Sequence, residues 1–257
     1  MTAEPAKSKV YVLANQKGGV GKTTTTANLG AYLAQKGQKV LLVDFDPQAN
    51  LSSSFGVESG RQSVYELLTE QAMFEDTVQA TTMTNLAIIP ASIDLTGATL
   101  ELVNHDDREY FLKRALEKRK SHYDYILIDC PPSLGLLTVN GLVAAEYVLI
   151  PLQCEYFALE GLTLLLKTIN RVQKSLNPGL EVGGIVFTMY DKRTRLAHEV
   201  VQEVTSYFKN RVFRTIIPRN VRISEAPSFS KPINQYDPGC IGARSYDKLA
   251  EEVLANV

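Results

Sequence analysis

The stretch that decides the fold of this chain reads Asn15-Gln16-Lys17-Gly18-Gly19-Val20-Gly21-Lys22-Thr23-Thr24. An apolar run from Lys9 to Ala14 comes before it, and a helical pattern over residues 21–36 comes after it. Glycines allow a backbone to curl until its N–H groups point inward, and the start of a helix adds a positive dipole. A strand, a glycine loop and a helix in this order predict a loop that binds phosphates.

Lysines and threonines give the loop its expected chemistry. Lys22 can reach the β- and γ-phosphates of a nucleotide, and the Thr23 hydroxyl can ligate Mg²⁺. The usual pattern GxxxxGK[ST] does not hold, because Gln16 stands where its first glycine would fall and a second lysine, Lys17, precedes the double glycine. A glycine-rich turn without a ligand is the alternative. We expect ATP and Mg²⁺ as cofactors. The candidate ATP-binding residues of the loop are Lys17, Gly18, Gly19, Val20, Gly21, Lys22, Thr23 and Thr24.

Two aspartates follow the next apolar run, in Val43-Asp44-Phe45-Asp46-Pro47-Gln48-Ala49-Asn50. Carboxylates two residues apart point the same way if the strand continues, so both can face the phosphate loop. Asp46 is the candidate to orient or deprotonate an attacking water, and Asp44 the candidate to hold a water bound to Mg²⁺. A cap or turn at the end of the strand is the alternative.

A third aspartate ends the run Tyr125-Ile126-Leu127-Ile128-Asp129, which is followed by Cys130 and two prolines. Four apolar residues and an aspartate are typical of the strand that carries a magnesium-binding carboxylate in P-loop proteins. We expect Asp129 to hold Mg²⁺ through water. Cys130 is interpreted as a small buried residue rather than as a nucleophile.

Short apolar runs alternate with longer helical patterns along the whole chain. Most runs are rich in Val, Ile and Leu without strict alternation, as in strands buried on both faces of a parallel sheet. The expected strands are Lys9–Ala14, Lys39–Val43, Leu86–Ile89, Tyr125–Ile128, Tyr147–Pro151, Val182–Thr188 and Val212–Ile216. The expected helices are 21–36, 62–69, 107–120, 135–144, 158–175, 195–209 and 242–255. The pattern predicts an α/β fold with a doubly wound, mostly parallel sheet flanked by helices, and ligands at the carboxyl ends of its strands.

Length and composition narrow the class further. The chain has 257 residues, 45% of them hydrophobic, which favours one domain over residues 1–257 with residues 1–8 as a flexible tail. Its three cysteines are widely spaced, which argues against a disulfide framework and against a zinc or iron–sulfur site. No apolar run reaches the roughly 18 residues of a spanning helix. We therefore expect a cytoplasmic protein.

Several motifs resemble one known group of proteins. The segment KGGVGKTTT resembles the deviant Walker A box of the MinD/ParA superfamily, and Asp44 to Asn50 resembles its switch I box. The segments Pro151–Gly161 and Ile217–Ser228 resemble those of ParA/Soj-type chromosome-partitioning ATPases. The similarity covers about residues 9–255, nearly the whole chain.

The resemblance implies a dimerising switch that hydrolyses ATP slowly. Lys17 would reach across a nucleotide-sandwich homodimer to the phosphates of the other subunit, and Asp46 would support hydrolysis. Lys17, Lys22 and Asp46 are thus the candidate catalytic residues. Pro218 and Asn220 would contact the adenine; a proline-shaped turn is the alternative for them. A ParB/Spo0J-type partner would stimulate hydrolysis, so that the protein segregates chromosomes or plasmids on the nucleoid.

A basic region suggests how such a protein could bind DNA. The chain has a net charge of −1, but residues 192–231 contain nine basic and three acidic residues. A solvated charged surface is the alternative, while the resemblance implies non-specific binding of double-stranded DNA by the ATP-bound dimer. Arg193 and Arg222 match family positions linked to DNA, and Arg195 is suggested by its neighbours. The DNA-binding candidates are Arg193, Arg195, Arg222, Lys231 and Lys248.

Three other functions compete with this interpretation. A MinD-like membrane-associated positioning ATPase would end in a basic amphipathic helix. Here the last helical pattern has an apolar stripe, but Asp247, Glu251 and Glu252 accompany it, so we expect packing on the sheet and no membrane contact. A metal-cluster carrier or reductase of the nitrogenase iron-protein type is disfavoured by the cysteine spacing. A small-molecule ATP-dependent ligase has no supporting sequence feature.

Overall fold

The structure is a computed structural model that describes residues 8–58 and 62–255. The tail expected over residues 1–8 falls outside the described residues except for Ser8, which is buried. The described chain forms an eight-stranded sheet in the order β3-β4-β2-β5-β1-β6-β7-β8. Its strands are β1 (Lys9–Leu13), β2 (Val40–Asp44), β3 (Gln79–Ala80), β4 (Leu86–Ile89), β5 (Tyr125–Asp129), β6 (Tyr147–Gln153), β7 (Glu181–Tyr190) and β8 (Val212–Pro218).

Helices connect these strands and cover both faces of the sheet. Three short 3₁₀ turns accompany them, at residues 120–122, 209–211 and 226–229. The α-helices are α1 (Lys22–Gln35), α2 (Asn50–Ser53), α3 (Val64–Leu68), α4 (Phe74–Thr77), α5 (Leu95–Leu102), α6 (Phe111–Glu117), α7 (Leu136–Ala144), α8 (Ala158–Ser175), α9 (Arg195–Phe208), α10 (Val221–Glu225), α11 (Ile233–Tyr236) and α12 (Ile241–Ala255).

Strand β5 shows why the sheet is buried on both sides. Successive side chains of a strand point to opposite faces. Ile126 and Ile128 therefore join the apolar core beneath α3 and α5 to α9, whereas Leu127 joins the core beneath α1 and α12. All five residues of β5 are buried, which explains why the sequence has an unbroken apolar run and no polar alternation.

The sheet is parallel except at one edge, where the short β3 pairs antiparallel with β4. The predicted doubly wound, mostly parallel sheet flanked by helices is therefore confirmed, and all seven expected strands are present. Strand β3 is an addition to the prediction. Because parallel strands end at the same edge, Leu13, Asp44 and Asp129 lie side by side: Asp129 is in register with both other residues.

Two helix boundaries correct the expectation from sequence. The helix expected from residue 21 begins at Lys22, because Gly21 has a left-handed backbone with φ of 84°. The helix expected over 107–120 is confined to Phe111–Glu117, since residues 106–109 form turns in the described chain. Both shifts come from local backbone conformation, which the apolar periodicity does not report.

Candidate active site

The loop between β1 and α1 has the conformation that a phosphate cradle needs. Gly19 and Gly21 have positive φ angles of 72° and 84°, which residues with a Cβ adopt only at a cost. A Cβ on Gly21 would also stand 3.8 Å from the Thr188 side chain. The Thr188 hydroxyl donates a 2.7 Å hydrogen bond to the Val20 carbonyl, so that β7 holds the middle of the loop.

The start of the loop is anchored on another strand. The buried Asn15 side chain donates a 2.8 Å hydrogen bond to the Pro151 carbonyl of β6. Its amide oxygen accepts a 3.0 Å hydrogen bond from the Lys17 backbone N–H. The start and the middle of the glycine segment are thus fixed to the sheet, which is the preorganisation expected of a binding loop.

The two lysines of the loop have different environments. Lys22 is only 6% exposed, and its ammonium donates a 3.3 Å hydrogen bond to the Lys17 carbonyl. Burial lowers the pKa of Lys22, against the opposing effect of the nearby Asp129 and Asp46 carboxylates. The Lys17 side chain instead points away from the loop and forms an exposed ion pair with Glu155. Lys22 therefore lies inside the site, and Lys17 on its outer surface.

Asp44 and Asp129 are fully buried carboxyl groups at the ends of neighbouring strands. Asp44 accepts hydrogen bonds from the Ser52 backbone N–H (2.8 Å) and the Ser52 hydroxyl (2.7 Å). Burial raises the pKa of Asp44 to about 6 despite these bonds. Burial, together with the nearby Asp44, raises the pKa of Asp129 to about 8. The chain alone therefore offsets little of the negative charge that the two carboxyl groups would carry when ionised.

The arrangement around Asp129 fits a magnesium ion. Thr26 donates a 3.3 Å hydrogen bond to Oδ1 of Asp129, whereas Oδ2 is buried and has no hydrogen-bond partner in the described chain. The Thr23 hydroxyl also lies near this carboxyl group and opposes the rise of its pKa. Within residues 8–58 and 62–255, no group of three or more His, Cys, Asp or Glu side chains could hold a metal by itself. Mg²⁺ suits such a sparse site, because it commonly binds one or two carboxylates, waters and the phosphates of a substrate.

Asp46 lies just beyond the end of β2. Its backbone N–H donates a 3.3 Å hydrogen bond to Asp44, and its Oδ1 accepts a 3.0 Å hydrogen bond from the Gln48 N–H. The side chain is 8% exposed and lies near Lys22, whose charge it favours. The structure therefore gathers all three predicted aspartates and Lys22 at one edge of the sheet.

A cavity of about 490 Å³ continues from the phosphate loop. Gly21 and Thr24 line it on one side, and Pro218 and Asn220 line it on the other. Asn220 also has a structural role, since its side chain accepts a 2.9 Å hydrogen bond from the Arg222 N–H and caps α10. The two predicted adenine contacts thus lie next to the loop, and both the base-contact role and the turn alternative stay predictions.

Several residues of this region were not expected from sequence. The partners that hold the site are Ser52, Thr188, Asn15 and Glu155. Each hydrogen-bonds a predicted residue or the loop backbone. Met189, which lines the cavity, is a non-glycine residue with φ of 50°, a strained conformation that clusters at functional sites.

The five DNA-binding candidates are exposed, but three of them are neutralised within the chain. Arg193 pairs with Asp191 at 2.6 Å and Arg195 pairs with Glu199 at 2.8 Å. Arg222 pairs with Glu225 at 2.9 Å. The sequence count over residues 192–231 left out Asp191, so the local positive charge is smaller than that count suggests. Lys231 and Lys248 have no ion-pair partner among the described residues.

The stripe on the last helix packs inside the protein, as expected. Tyr246, Leu249, Ala250 and Val253 of α12 are at most 1% exposed and belong to the core beside α1. A buried stripe is not available to a lipid surface in this conformation. In residues 8–58 and 62–255, no helix has the length and apolarity required to cross a bilayer.

Comparison with known proteins agrees with this geometry. Residues 8–182 match the AAA domain family. The chain is 62% identical to the chromosome-partitioning ATPase Soj of Treponema pallidum, with 96% of this chain and 97% of that protein covered. It is 56% identical to the sporulation initiation inhibitor protein Soj of Bacillus subtilis, with 96% and 99% covered.

A solved structure gives the same fold. It is cobyrinic acid a,c-diamide synthase from Mycobacterium smegmatis, with a bound ATP analogue and magnesium. It superposes with a TM-score of 0.86 at 40% identity and covers 96% of this chain and 94% of its own. The two Soj proteins share a larger fraction of identical residues with the chain than this synthase does. The chain belongs to the ParA/Soj family of chromosome-partitioning ATPases, in the MinD/ParA group of P-loop proteins.

Proposed function

We propose that this protein is an ATP-dependent dimerising switch that binds DNA non-specifically and segregates chromosomes or plasmids together with a ParB-type partner. The observation that carries the proposal is the division of the loop lysines, with Lys22 buried among carboxylates and Lys17 exposed at the rim. A cation needed only within one subunit would have no reason to lie outside its own site. The proposal treats residues 1–257 as one P-loop ATPase domain.

The proposed roles of the residues follow from their positions at the carboxyl ends of the strands. The backbone from Gly18 to Thr24 cradles the triphosphate of ATP, and Lys22 neutralises its β- and γ-phosphates. Bound Mg²⁺ supplies positive charge to the same phosphates; Thr23 and Asp129 would hold it, with Asp44 acting through water. The cavity beside Gly21, lined by Pro218 and Asn220, takes the adenosine part. In the bound state, Lys22 and Mg²⁺ offset the negative charge of the phosphates, and Mg²⁺ also offsets the charge of the aspartates.

Asp46 is proposed to position the attacking water and accept its proton. It lies beside the phosphate end of the site and keeps one oxygen in a hydrogen bond to the Gln48 N–H, which fixes its orientation. The water attacks the γ-phosphorus, the bond to the β,γ-bridging oxygen breaks, and ADP and phosphate are formed. With one such base and no stabilising cation from its own subunit beyond Lys22, slow turnover is expected.

We propose that dimerisation supplies a second cation to the phosphates, namely the Lys17 ammonium of the other subunit. In the single chain Lys17 is paired with Glu155, and the next two residues, Tyr156 and Phe157, are 76% and 64% exposed. Adjacent exposed aromatic rings beside a charged pair are typical of the surfaces that protein interfaces bury. Two subunits closing over this face would bring each Lys17 to the partner's phosphates, so that bound ATP stabilises the dimer.

The DNA and partner roles complete the proposal. A dimer doubles the number of exposed cations, and two weak patches on one particle bind far better than either patch alone. DNA binding would therefore require ATP and weaken with salt. A ParB/Spo0J-type partner would accelerate hydrolysis and release the protein from the nucleoid. This part rests on the family, since the partner's docking surface is not identified by any feature of the chain.

The test is binding of the purified protein to random-sequence duplex DNA with ATP or ADP, at two salt concentrations. Asp46→Ala would be included to prolong the ATP state. Tight, salt-sensitive binding with ATP alone is the expected result. Equal binding with both nucleotides would contradict the switch. Absence of binding in both states would remove DNA from the proposal and turn attention to lipid vesicles and to the ligase alternative.

A further inference from the structure

A large groove in the described chain lies away from the nucleotide site. It has a volume of about 670 Å³ and opens on the free edge of the sheet, between α9 and α12, toward the amino-terminal ends of β7 and β8. Phe187, Phe213 and Ile216 contribute apolar lining. The cationic lining comes from Lys209, Arg211 and Arg214.

An irregularity in β8 forms this groove. Ile185 pairs with Val212, but Phe187, only two residues later, pairs with Ile216, so β8 contains two extra residues at this point. The backbone N–H groups of Arg214 and Thr215 leave the ladder and donate 2.8 Å and 2.7 Å hydrogen bonds to Glu252. Bulges of this kind are frequent at sheet edges and near functional sites, where they redirect side chains.

Two further features indicate that the groove has a defined, closely packed structure. The Phe213 ring packs so closely on Gly184 that a Cβ there would lie 2.2 Å from it, so a larger residue would displace the ring. Lys209 has φ of 44° and ψ of −111°, a strained conformation for a residue with a side chain. Strain of this kind persists only where the surrounding structure or a function maintains it.

The charge of the groove differs from that of the three arginines predicted to contact DNA. Arg193, Arg195 and Arg222 each have a carboxylate partner in the chain. Lys209, Arg211 and Arg214 are exposed and form no ion pair with any residue that the structure describes. The acidic group in the groove, Glu252, already accepts hydrogen bonds from Arg214 and Thr215. Uncompensated cations release the most counterions when they meet phosphates.

We propose that this groove is a phosphate-binding site for the DNA backbone and supplies contacts separate from those of Arg193 and Arg222. The proposal rests on the proposed function, because it assumes that the protein binds DNA. Because of the bulge, β8 runs alongside residues 185–190 of β7 and spans about 17 Å. Duplex DNA lying along this edge would pass from the groove to Arg219 and Arg222 at the other end over about five base pairs.

The test compares three forms of the chain with a non-hydrolysable ATP analogue and Mg²⁺. They are the wild type, the double variant Arg211→Ala/Arg214→Ala, and the control Lys118→Ala/Lys174→Ala, which removes the same charge from exposed positions on the α6 and α8 side. The affinity for random-sequence duplex DNA is measured over a range of salt concentrations. Nucleotide affinity and dimer formation are measured in parallel, and neither should change.

The groove variant should weaken DNA binding about tenfold or more and reduce the salt slope by about 1.8, since each lost phosphate contact removes about 0.9. The control should keep the wild-type slope, and Arg211→Lys/Arg214→Lys should restore most of the affinity. An unchanged slope in the groove variant, while the wild type binds DNA, would overturn the proposal. Wild-type protein that hydrolyses ATP but binds no DNA would overturn the DNA part of the proposed function, and the groove proposal with it.

A last arm separates the two sources of phosphate. Labelled ATP is added to Lys22→Ala, whose own nucleotide site is expected to be empty, with and without the groove substitutions. No binding in either form agrees with a groove for DNA. Binding that disappears with Arg211→Ala/Arg214→Ala would show that the groove takes a free nucleotide and would overturn the assignment to DNA.

Discussion

The two lysines of the phosphate loop are five residues apart and should fail in different ways. Lys22 is buried in its own site, while Lys17 is exposed and paired with Glu155. Lys17→Ala should therefore keep ATP affinity within a few-fold and lose ATP-dependent dimerisation, measured by nucleotide binding and analytical ultracentrifugation. Lys22→Ala is the matched control and should lose ATP binding by about 100-fold, equivalent to two to three kcal/mol for charge-assisted hydrogen bonds. An ATP-dependent dimer of Lys17→Ala would refute the trans-lysine hypothesis.

Asp46 offers a second test at the scale of single residues. Asp46→Ala should slow hydrolysis by about 100-fold or more, the usual contribution of a general base, while the ATP-bound dimer persists. Asp46→Asn is the informative companion, because its amide oxygen can still accept the hydrogen bond from Gln48. Equal losses in both variants would assign the effect to proton transfer. Normal hydrolysis by Asp46→Asn would show that Asp46 only shapes the loop.

For the Arg193–Asp191 pair, we expect that removing the acidic partner strengthens DNA binding. Arg193 holds the pKa of Asp191 well below its usual range, so Asp191 keeps its negative charge at neutral pH and offsets the charge of the arginine that it pairs with. Asp191→Asn should release it and strengthen ATP-dependent DNA binding several-fold at low salt, with the salt slope rising by up to about 0.9. Glu199→Gln, which frees Arg195, is the parallel variant. A weaker complex with Asp191→Asn would mean that the pair orients Arg193 for DNA.

Two helical glycines show how packing between elements decides whether a substitution by alanine raises or lowers the free energy of unfolding. A Cβ on Gly141 of α7 would lie 2.7 Å from the Cys130 sulfur and 3.1 Å from Val12, whereas a Cβ on Gly161 of α8 would meet nothing within 4 Å. Helix propensity favours alanine by up to about 1 kcal/mol at both sites, but overpacking costs about 1–3 kcal/mol. Gly141→Ala should lower the free energy of unfolding in urea, and Gly161→Ala should raise it. A higher free energy of unfolding for Gly141→Ala would contradict the close packing of α7 on the sheet, and a lower one for Gly161→Ala would contradict the open space beside α8.

The longer elements could be predicted from the sequence because they repeat a pattern. The α8 prediction matches the helix, and the seven parallel strands were found because each forms a buried apolar run. Most of the missed helices are short: α2, α4, α10 and α11 have four or five residues, too few to show a period of 3.6. The prediction also missed α5, which has eight residues but contains a glycine and two threonines that disfavour a helix. Strand β3 has two residues and takes its identity from pairing with β4.

The same limit applies to the site. The phosphate loop and its aspartates could be predicted because each motif lies within a few residues. The groups that hold them come from elsewhere: Thr188 is 168 positions from Val20, and Glu155 is 138 positions from Lys17. Ser52 is only eight positions from Asp44, yet it reaches the carboxylate because α2 turns back toward the end of β2. Only the folded sheet brings these partners together.

At the scale of the whole molecule, the parallel sheet places the nucleotide site and the buried carboxyl groups together, so we expect nucleotide binding to depend on Mg²⁺. The ends of β2 and β5 bring the buried carboxyl groups of Asp44 and Asp129 into register beside the phosphate loop, which follows β1. The surface cations that we propose to face DNA lie on and around β7 and β8, at one end of the sheet order. Thr188 joins β7 to the loop backbone, so the phosphate loop is in direct contact with one of these two strands.

The buried carboxylates predict how the stability of the whole chain depends on magnesium. Any ligand that binds only the folded state stabilises it, by about 2.7 kcal/mol at 100 times its Kd. In a chain of 257 residues this corresponds to a rise in Tm of about 5–10 °C. ATP with Mg²⁺ should reach this rise, whereas ATP with EDTA should give a much smaller one, because the triphosphate then faces Asp44 and Asp129 without a cation between them.

Asp129→Asn is the variant that tests this account, measured by thermal unfolding with ATP in Mg²⁺ and in EDTA. It keeps the size of the side chain and removes the carboxylate whose Oδ2 has no partner in the described chain. The nucleotide-free variant should unfold at or above the wild-type Tm, since a buried acidic group has been replaced by a neutral one. Its rise with ATP should be nearly the same in Mg²⁺ and in EDTA. A full magnesium-dependent rise in Asp129→Asn would show that the metal is held elsewhere in the site.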